Sequence, residues 1–480
     1  MIKDRLLVTL AIIEFYFLFI QTGIVLSTYN ALPNFIPLLY TNRWGPDQLQ
    51  LKPAIILLPI ASIVLFATNN LICQHLMRKK ETLAAYCLGL ITNFLIGVVV
   101  AGSYRIVFSV AAFPLSLPWF LQPVVIGTMI VSFLLSGLLT FPSLKFAQRF
   151  GFMDNPKTHK HPAMLLTRSV ARGGALPLFL GFLFTSLFIF SPDKKIAYIM
   201  LAAGAAVIVG LVDDKYDLNP YIRFGFQIII ALAIAFSGIQ VDYINHPLGA
   251  GVLPLTQIVV RIGPTFSFQP IALILAALWI LWTMNMISWS NGVDGQFPLI
   301  VSVAAIVIGI IGLSDTNQYK TSVMAFAVAG ATLGTLPFSW YPSKMLYGFG
   351  ATSIGFLLAS LSILNGTKVA TSLLVLLVPT LDAAFTIFRR LKSGRSPFWG
   401  DRAHLHHKLL DFGFSQRQIA VFYAVVGSVL GTLAIVSSGR GKLLAIITAA
   451  GVFIFILTFV NYFPELLRRE NSKNGEDKTI

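Results

Sequence analysis

Charge is scarce in this chain. Asp, Glu, Lys and Arg make up 11% of its 480 residues, whereas 56% are hydrophobic. No polar stretch is long enough to fold around a core of its own, which excludes a separate soluble domain. Cysteine is almost absent. Cys73 and Cys87 are the two present, near the ends of neighbouring apolar runs. A structural disulfide is not expected on the reducing cytoplasmic side, and no cysteine spacing suits zinc. No internal repeat is visible. The first apolar run lacks a small-residue cleavage site and is expected to be retained. The runs themselves hold few polar residues, which argues against a channel or carrier, whose polar groups sit near the midplane.

What is abundant is apolar sequence. Mean hydropathy is +0.79. Runs of about 18–22 apolar residues, the length a helix needs to cross hydrocarbon, recur along almost the whole chain. The expected fold is an all-α polytopic membrane protein of about fourteen spans. They lie near 5–28, 53–73, 83–102, 119–141, 173–191, 196–212, 222–239, 270–288, 297–313, 321–338, 350–365, 368–388, 419–437 and 442–463. The stretch 103–118 is short and broken by proline. The long loop 240–269 suggests a short amphipathic or hairpin element. The polar tail 464–480 is expected to be disordered.

Basic residues exceed acidic ones, 35 to 19, giving a net charge of +16. Their positions argue for a bilayer and against nucleic acid. With a cytoplasmic N-terminus, ten Lys and Arg fall outside (Arg43, Lys52, Arg105, Lys194, Lys195, Arg261, Lys320, Lys368, Arg440 and Lys442) and 25 inside. This is the positive-inside bias, and it predicts a multi-pass protein of the cytoplasmic membrane with both termini in the cytoplasm.

From about residue 119 onward, alternate loops carry unusual polar content, and all of them share the cytoplasmic face. Asp213 and Asp214 stand out, followed by Asp217. Adjacent carboxylates at a membrane boundary are costly, and the cluster could hold Mg²⁺, which favours oxygen ligands shared with phosphates. Solvated loop acids are the plain alternative. The loop 143–172 brings Asp154, Lys160, Arg168 and Arg172-Gly173-Gly174, suited to receive phosphates or simply to anchor topology. In 285–295, Asp294 lies between two glycines and could act on a substrate, ligate a metal or end a helix. The loop 389–418 carries Asp401, Arg402, His404, His406 and His407. Zinc is one reading of the histidines; the neighbouring arginines favour a diphosphate.

Together these stretches resemble the polyprenyl-phosphate N-acetylhexosamine-1-phosphate transferases of glycosyl transferase family 4. They are closest to the WecA-like branch beside the TagO-like and MraY-like ones. The resemblance rests on Asp154-x-Pro156 with Arg172-Gly173-Gly174; on Asp213-Asp214 with Leu218-x-Pro220 and Gln227; and on Asn285 through Gly295. It rests further on Trp340-Tyr341-Pro342-Ser343-Lys344 and on Pro379-x-x-Asp382 through His407. It implies an eleven-helix core over 119–463, preceded by about three extra helices in 1–118 and followed by the tail.

It also implies transfer of a sugar-1-phosphate from a UDP-N-acetylhexosamine to polyprenyl phosphate, with release of UMP, at the cytoplasmic face. Mg²⁺, or Mn²⁺, would serve as cofactor, and a homodimer is left open. Carried over by motif, Asp213 acts on or orients the lipid phosphate, Asp214 sits beside the metal, and Asp217 and Asp294 complete the acidic cluster. Arg402, His404, His406 and His407 hold the diphosphate, with Asn285, Lys160, Arg172, Lys344 and Asp401 as further substrate contacts. The chain also departs from the pattern. Ser288 stands for an Asn and Asn291 for an Asp. The family's Gly-Asp-x-Gly-Ser reads Tyr347-Gly348-Phe349-Gly350-Ala351-Thr352, so its Asp becomes Phe349 or Gly348 according to the register. Losing a carboxylate should weaken Mg²⁺ binding. The alternative is a family-derived protein that binds lipid or a partner without catalysis.

Overall fold

The computed structural model describes residues 5–29, 32–38, 49–79, 81–110, 122–156, 167–246, 251–263, 266–313, 315–365, 368–397, 401–402, 404–437 and 439–473. Helices occupy all fourteen apolar segments. They are α1 (Arg5–Thr28), α2 (Leu57–Arg78), α3 (Thr82–Val110), α4 (Pro123–Phe150), α5 (Ala175–Ile189), α6 (Lys194–Tyr216), α7 (Pro220–Phe236), α8 (Pro270–Trp289), α9 (Gln296–Gly312), α10 (Tyr319–Ser339), α11 (Ala351–Leu364), α12 (Lys368–Val375), α13 (Leu377–Lys392), the short α14 (Leu405–Asp411), α15 (Gln416–Val436) and α16 (Gly439–Lys473).

The protein is thus an all-α polytopic membrane protein. Fewer helices than expected are individually long enough to cross. Among the described residues, seven have the length and apolar character of a span, or eight if the bent pair α12–α13 counts as one. Four shorter apolar helices, α5, α7, α9 and α11, run for 14–17 residues. At 1.5 Å per residue, 17 residues reach only about 25 Å, less than the roughly 30 Å of hydrocarbon. The segment 368–388 breaks between Val375 and Leu377 with an 84° bend. The loop after α7 holds two hairpins, Tyr243–Asn245 with Val252–Pro254 and Val260–Ile262 with Phe266–Phe268. In the tail, α16 stays helical to Lys473 where disorder was expected.

The chain divides into two compact units, Met1–Ile130 with Phe184–Ser191, and Val131–Leu183 with Pro192–Ile480. In the first, α1, α2 and α3 pack on one another in all three pairings. Their shared interior is not purely apolar. Glu14 is fully buried. Its carboxylate accepts hydrogen bonds from Asn69 (2.7 Å), Asn93 (3.1 Å) and Asn70 (3.4 Å). Gln21 donates to Ser103 at 2.7 Å. One Glu and scattered Asn within long apolar runs left no visible motif; the helix packing is what gathers them.

In the second unit, helices approach through small residues, as apolar faces in lipid require. Ser132 and Ser136 of α4 donate to the Ala327 and Ala331 carbonyls of α10 at 2.6 and 2.7 Å. The pairs α9–α10, α8–α11, α9–α15, α7–α8 and α6–α11 form the rest of the core. Near the acidic end of α6, Gly210 lies against Gly350, where a side-chain carbon would come within 2.6 Å of the Gly350 Cα. This contact brings the 348–350 turn onto the last turn of α6.

Candidate active site

Asp213 and Asp214 occupy the final turn of α6. Asp217 ends that helix in the left-handed conformation (φ 49°), its N–H donating to the Asp213 carbonyl at 2.8 Å. Asn219 then caps α7, accepting from the Tyr221 N–H at 2.9 Å, with Pro220 in the first turn. Asp213 fastens this connection. Its Oδ1 accepts from the Leu218 N–H at 3.0 Å and its Oδ2 pairs with Arg223 at 3.0 Å.

Asp214, also buried, points toward the turn ahead of α11. Its Oδ1 accepts from the Phe349 N–H at 3.0 Å. Its buried Oδ2 has no hydrogen-bond partner. Gly348 adopts φ +56°, and any side chain there would run into the Asp214 carboxylate. Opposite, a two-residue hairpin (Met153–Asp154 with Val170–Ala171) sets Asp154 beside Arg172, paired at 2.9 Å. The Leu346 N–H bonds the Ala171 carbonyl at 2.8 Å and the Gly174 N–H bonds the Leu346 carbonyl at 2.9 Å, stitching that loop to 340–347.

These groups line a cavity of about 390 Å³. Its walls include Asp154, Arg172, Asp213, Asp214, Asp217, Arg223, Gln227, Asn285, Trp289, Asn291 and Phe349. Asn285 donates to Gln227 at 2.9 Å. The Arg223 guanidinium lies 5.0 Å from the Phe349 ring centroid. Four carboxylates face two guanidiniums, so the lining carries a net charge of −2 with all of them ionised. A phosphate entering such a cavity would be repelled unless a cation accompanied it.

Of the site residues read from sequence, Asp213, Asp214, Asp217, Asn285 and Arg172 therefore meet. Others stand apart from the cavity. Asp294 accepts from the Ser343 N–H at 2.9 Å, and its own N–H donates to Gln416 at 3.0 Å. Lys344 is exposed. Asp401 pairs with Arg390 (3.0 Å) and Arg389 (3.2 Å), and exposed Arg402 pairs with Asp411 at 3.2 Å. Lys160 lies outside the described residues. Among those residues, no three of His, Cys, Asp and Glu are arranged to hold a metal ion by themselves.

The histidines form a buried stack behind the cavity wall. His404 Nδ1 lies 3.0 Å from Asp382 Oδ2, while Asp382 Oδ1 accepts the Leu405 N–H at 2.8 Å. The His404 and His406 rings are nearly parallel with centroids 5.6 Å apart, and His407 lies 4.4 Å from His406. His404 also neighbours Trp289 of the cavity wall at 6.4 Å, and His406 sits where any Gly292 side chain would stand. Burial pushes His406 far below the ordinary imidazole range, and the other histidines and Arg402 add to it. Burial and then Arg402 lower His407 to about 4. Both are neutral at pH 7.

Sequence reasoning passed over Arg223 and Trp289. Arg223 did carry a signal. A cation in the first turn of a helix opposes the helix dipole, so its presence there calls for a carboxylate partner. Nothing local marked Trp289.

The glycosyl transferase family 4 profile matches residues 196–366, which span α6 through α11 and hold Asp213, Asp214, Arg223, Asn285 and Phe349. A decaprenyl-phosphate N-acetylglucosaminephosphotransferase of Mycolicibacterium smegmatis is 30% identical over 298 residues, covering 56% of this chain and 70% of that protein. The chain belongs to glycosyl transferase family 4. Two further relatives of this family 4 protein extend the match. A probable undecaprenyl-phosphate N-acetylglucosaminyl 1-phosphate transferase of Bacillus subtilis is 27% identical over 359 residues, 73% of this chain and 94% of its own. An undecaprenyl-phosphate alpha-N-acetylglucosaminyl 1-phosphate transferase of Yersinia pestis is 26% identical over 350 residues, 70% and 89% of the two chains. The profile ends before the histidine stack, and Asp154 and Arg172 precede it.

Proposed function

We propose that this protein transfers N-acetylglucosamine-1-phosphate, or that of a related N-acetylhexosamine, from its UDP-sugar to polyprenyl phosphate at the cytoplasmic face of the inner membrane. UMP is the other product. The reading is carried by one observation above all: the acidic cavity at the end of α6, where paired carboxylates and two guanidiniums meet at the end of a membrane helix. The names of the relatives support the same reaction.

In this reading a lipid phosphate oxygen attacks the sugar-bearing phosphorus of the UDP-sugar. One P–O bond forms there, and the bond to UMP breaks, with the electron pair leaving on UMP. Asp213 takes the proton of the lipid phosphate or orients it, held in place by Arg223 and the Leu218 N–H. Arg172 receives a phosphate oxygen in exchange for Asp154. Asn285 and Asn291 offer hydrogen bonds to the sugar or base. The histidine stack shapes the wall through Trp289 and Gly292 rather than meeting the substrate in the resting protein.

The lining fits a divalent cation shared with substrate, since Asp214 Oδ2 is buried without a partner and the cavity is net negative. Asp214 and Asp217 would hold it, with phosphate oxygens completing the shell. When bound, Mg²⁺ or Mn²⁺ would neutralise the diphosphate and stabilise the charge growing on UMP.

The test is UMP release by the purified protein in nanodiscs given UDP-N-acetylglucosamine and undecaprenyl phosphate. Release that needs the lipid is expected, and Asp213→Asn should lower turnover by roughly 10²–10⁴-fold. Wild-type turnover in that variant removes Asp213 from its role. No release with any UDP-sugar from folded, lipid-binding protein supports the non-catalytic alternative.

A further inference from the structure

The cavity is rich in carboxylates, yet its chain atoms leave little for a cation in the resting protein. Both oxygens of Asp213 are engaged, one by the Leu218 N–H and one by Arg223. Asp154 is paired to Arg172. Asp214 keeps one oxygen on the Phe349 N–H, and only Oδ2 is left, buried. Asp217 is exposed. At the turn facing Asp214, the chain supplies a glycine and the Phe349 N–H, and no further carboxylate. Gly348 has no room for a side chain, and Phe349, which lines the cavity, rests its ring on Arg223. Arg223 is thereby held from two sides, by a carboxylate and by a π face, both of which favour a guanidinium.

We infer that the resting site takes its divalent cation together with a diphosphate rather than ahead of it, because Arg223, clamped between Asp213 and Phe349, keeps the Asp213 carboxylate engaged and leaves Asp214 and Asp217 too few oxygens to complete a shell alone. The inference rests on the transferase reading for the identity of the diphosphate, a nucleoside diphosphate sugar. The arriving diphosphate supplies the oxygens that a hard cation needs. Its charge also draws Arg223 and Arg172 toward phosphate, which frees oxygens of Asp213 and Asp154. Each ligand therefore raises the affinity of the other, and by linkage the two effects are equal.

Binding of Mn²⁺, followed by the loss of its free-ion electron paramagnetic resonance signal, tests this on the full chain in nanodiscs. Wild-type protein alone should bind Mn²⁺ weakly. Adding UDP-N-acetylglucosamine, or inorganic pyrophosphate, should raise the affinity beyond that of the nucleotide or pyrophosphate for Mn²⁺ in solution. Phe349→Asp should raise nucleotide-free affinity by about tenfold or more, since it adds a carboxylate to the cavity lining and removes the ring that rests on Arg223. Arg223→Gln, which releases Asp213, should act in the same direction and serves if Phe349→Asp does not fold. Equal Mn²⁺ affinity of the wild type with and without either diphosphate overturns the inference, as does unchanged nucleotide-free affinity in the folded variants. Coupling to pyrophosphate without coupling to UDP-N-acetylglucosamine leaves the inference standing and removes the UDP-sugar reading.

Discussion

Gly348 shows how one residue can protect another. Its φ of +56° is a conformation that L side chains rarely adopt, and its missing side chain leaves room for the Asp214 carboxylate. These are separate demands, and they can be measured separately. Gly413 has φ +90° with nothing within 4 Å of where a side-chain carbon would stand. Gly413→Ala therefore imposes strain alone, about 1–2 kcal/mol of stability by the usual cost of such backbone. Gly348→Ala imposes the strain and also displaces Asp214. The expected outcome is a larger loss of thermal stability in Gly348→Ala than in Gly413→Ala, with UMP release by the folded protein falling only in Gly348→Ala. Equal activity in the two variants would show that Asp214 tolerates displacement and is not held for function. The same turn holds both positions at which the family's carboxylate is absent, Gly348 and Phe349, and both line the cavity.

At the scale of elements, the histidine loop is held by burial and by Asp382, and this has a consequence for pH. The unfolded chain takes up a proton on each histidine near pH 6.5. Folded His407 does so only at about 4, because burial and Arg402 oppose the charge. The unfolded state therefore binds more protons between these values, and stability falls as pH drops from about 6.5 toward 4. His407→Gln removes the titration while keeping a neutral, polar side chain. Unfolding temperatures at pH 7 and pH 5 should fall further apart in the wild type than in this variant. Parallel changes would mean that His407 is solvated in the working protein. Helices were legible in this chain because apolar runs are long and their ends carry turn residues, as at Asn219-Pro220. The partition of the polar loops was not. Asp213 and Asp217 are joined by local geometry and were readable as a cluster. Asp294 was expected to join them, yet the packing of α8 and α9 directs it to the Ser343 N–H, a long-range outcome that no spacing encodes.

The whole molecule holds two compact units, and the first has a polar interior of its own. Glu14 contributes from α1, Asn69 and Asn70 from α2, and Asn93 from α3, so one carboxylate ties three helices. Within lipid the reward for such bonds is modest, because each group finds other partners when helices separate. The cost of leaving them unmet is larger, about 1–3 kcal/mol for a buried group that loses its partner. This asymmetry predicts different outcomes for two substitutions. Glu14→Gln keeps an oxygen acceptor at the same reach and should unfold near the wild-type temperature. Glu14→Ala takes the Glu14 oxygen from Asn69, while Asn70 and Asn93 keep the Phe66 and Gly89 carbonyls at 2.9 and 3.0 Å, and it should lower that temperature clearly. Since the cavity lies wholly in the second unit, neither change should alter the KM for UDP-N-acetylglucosamine in the folded protein. A Glu14→Gln protein with wild-type stability but lost transfer would instead assign the carboxylate's charge, and not merely its hydrogen bonds, to the function of the enzyme.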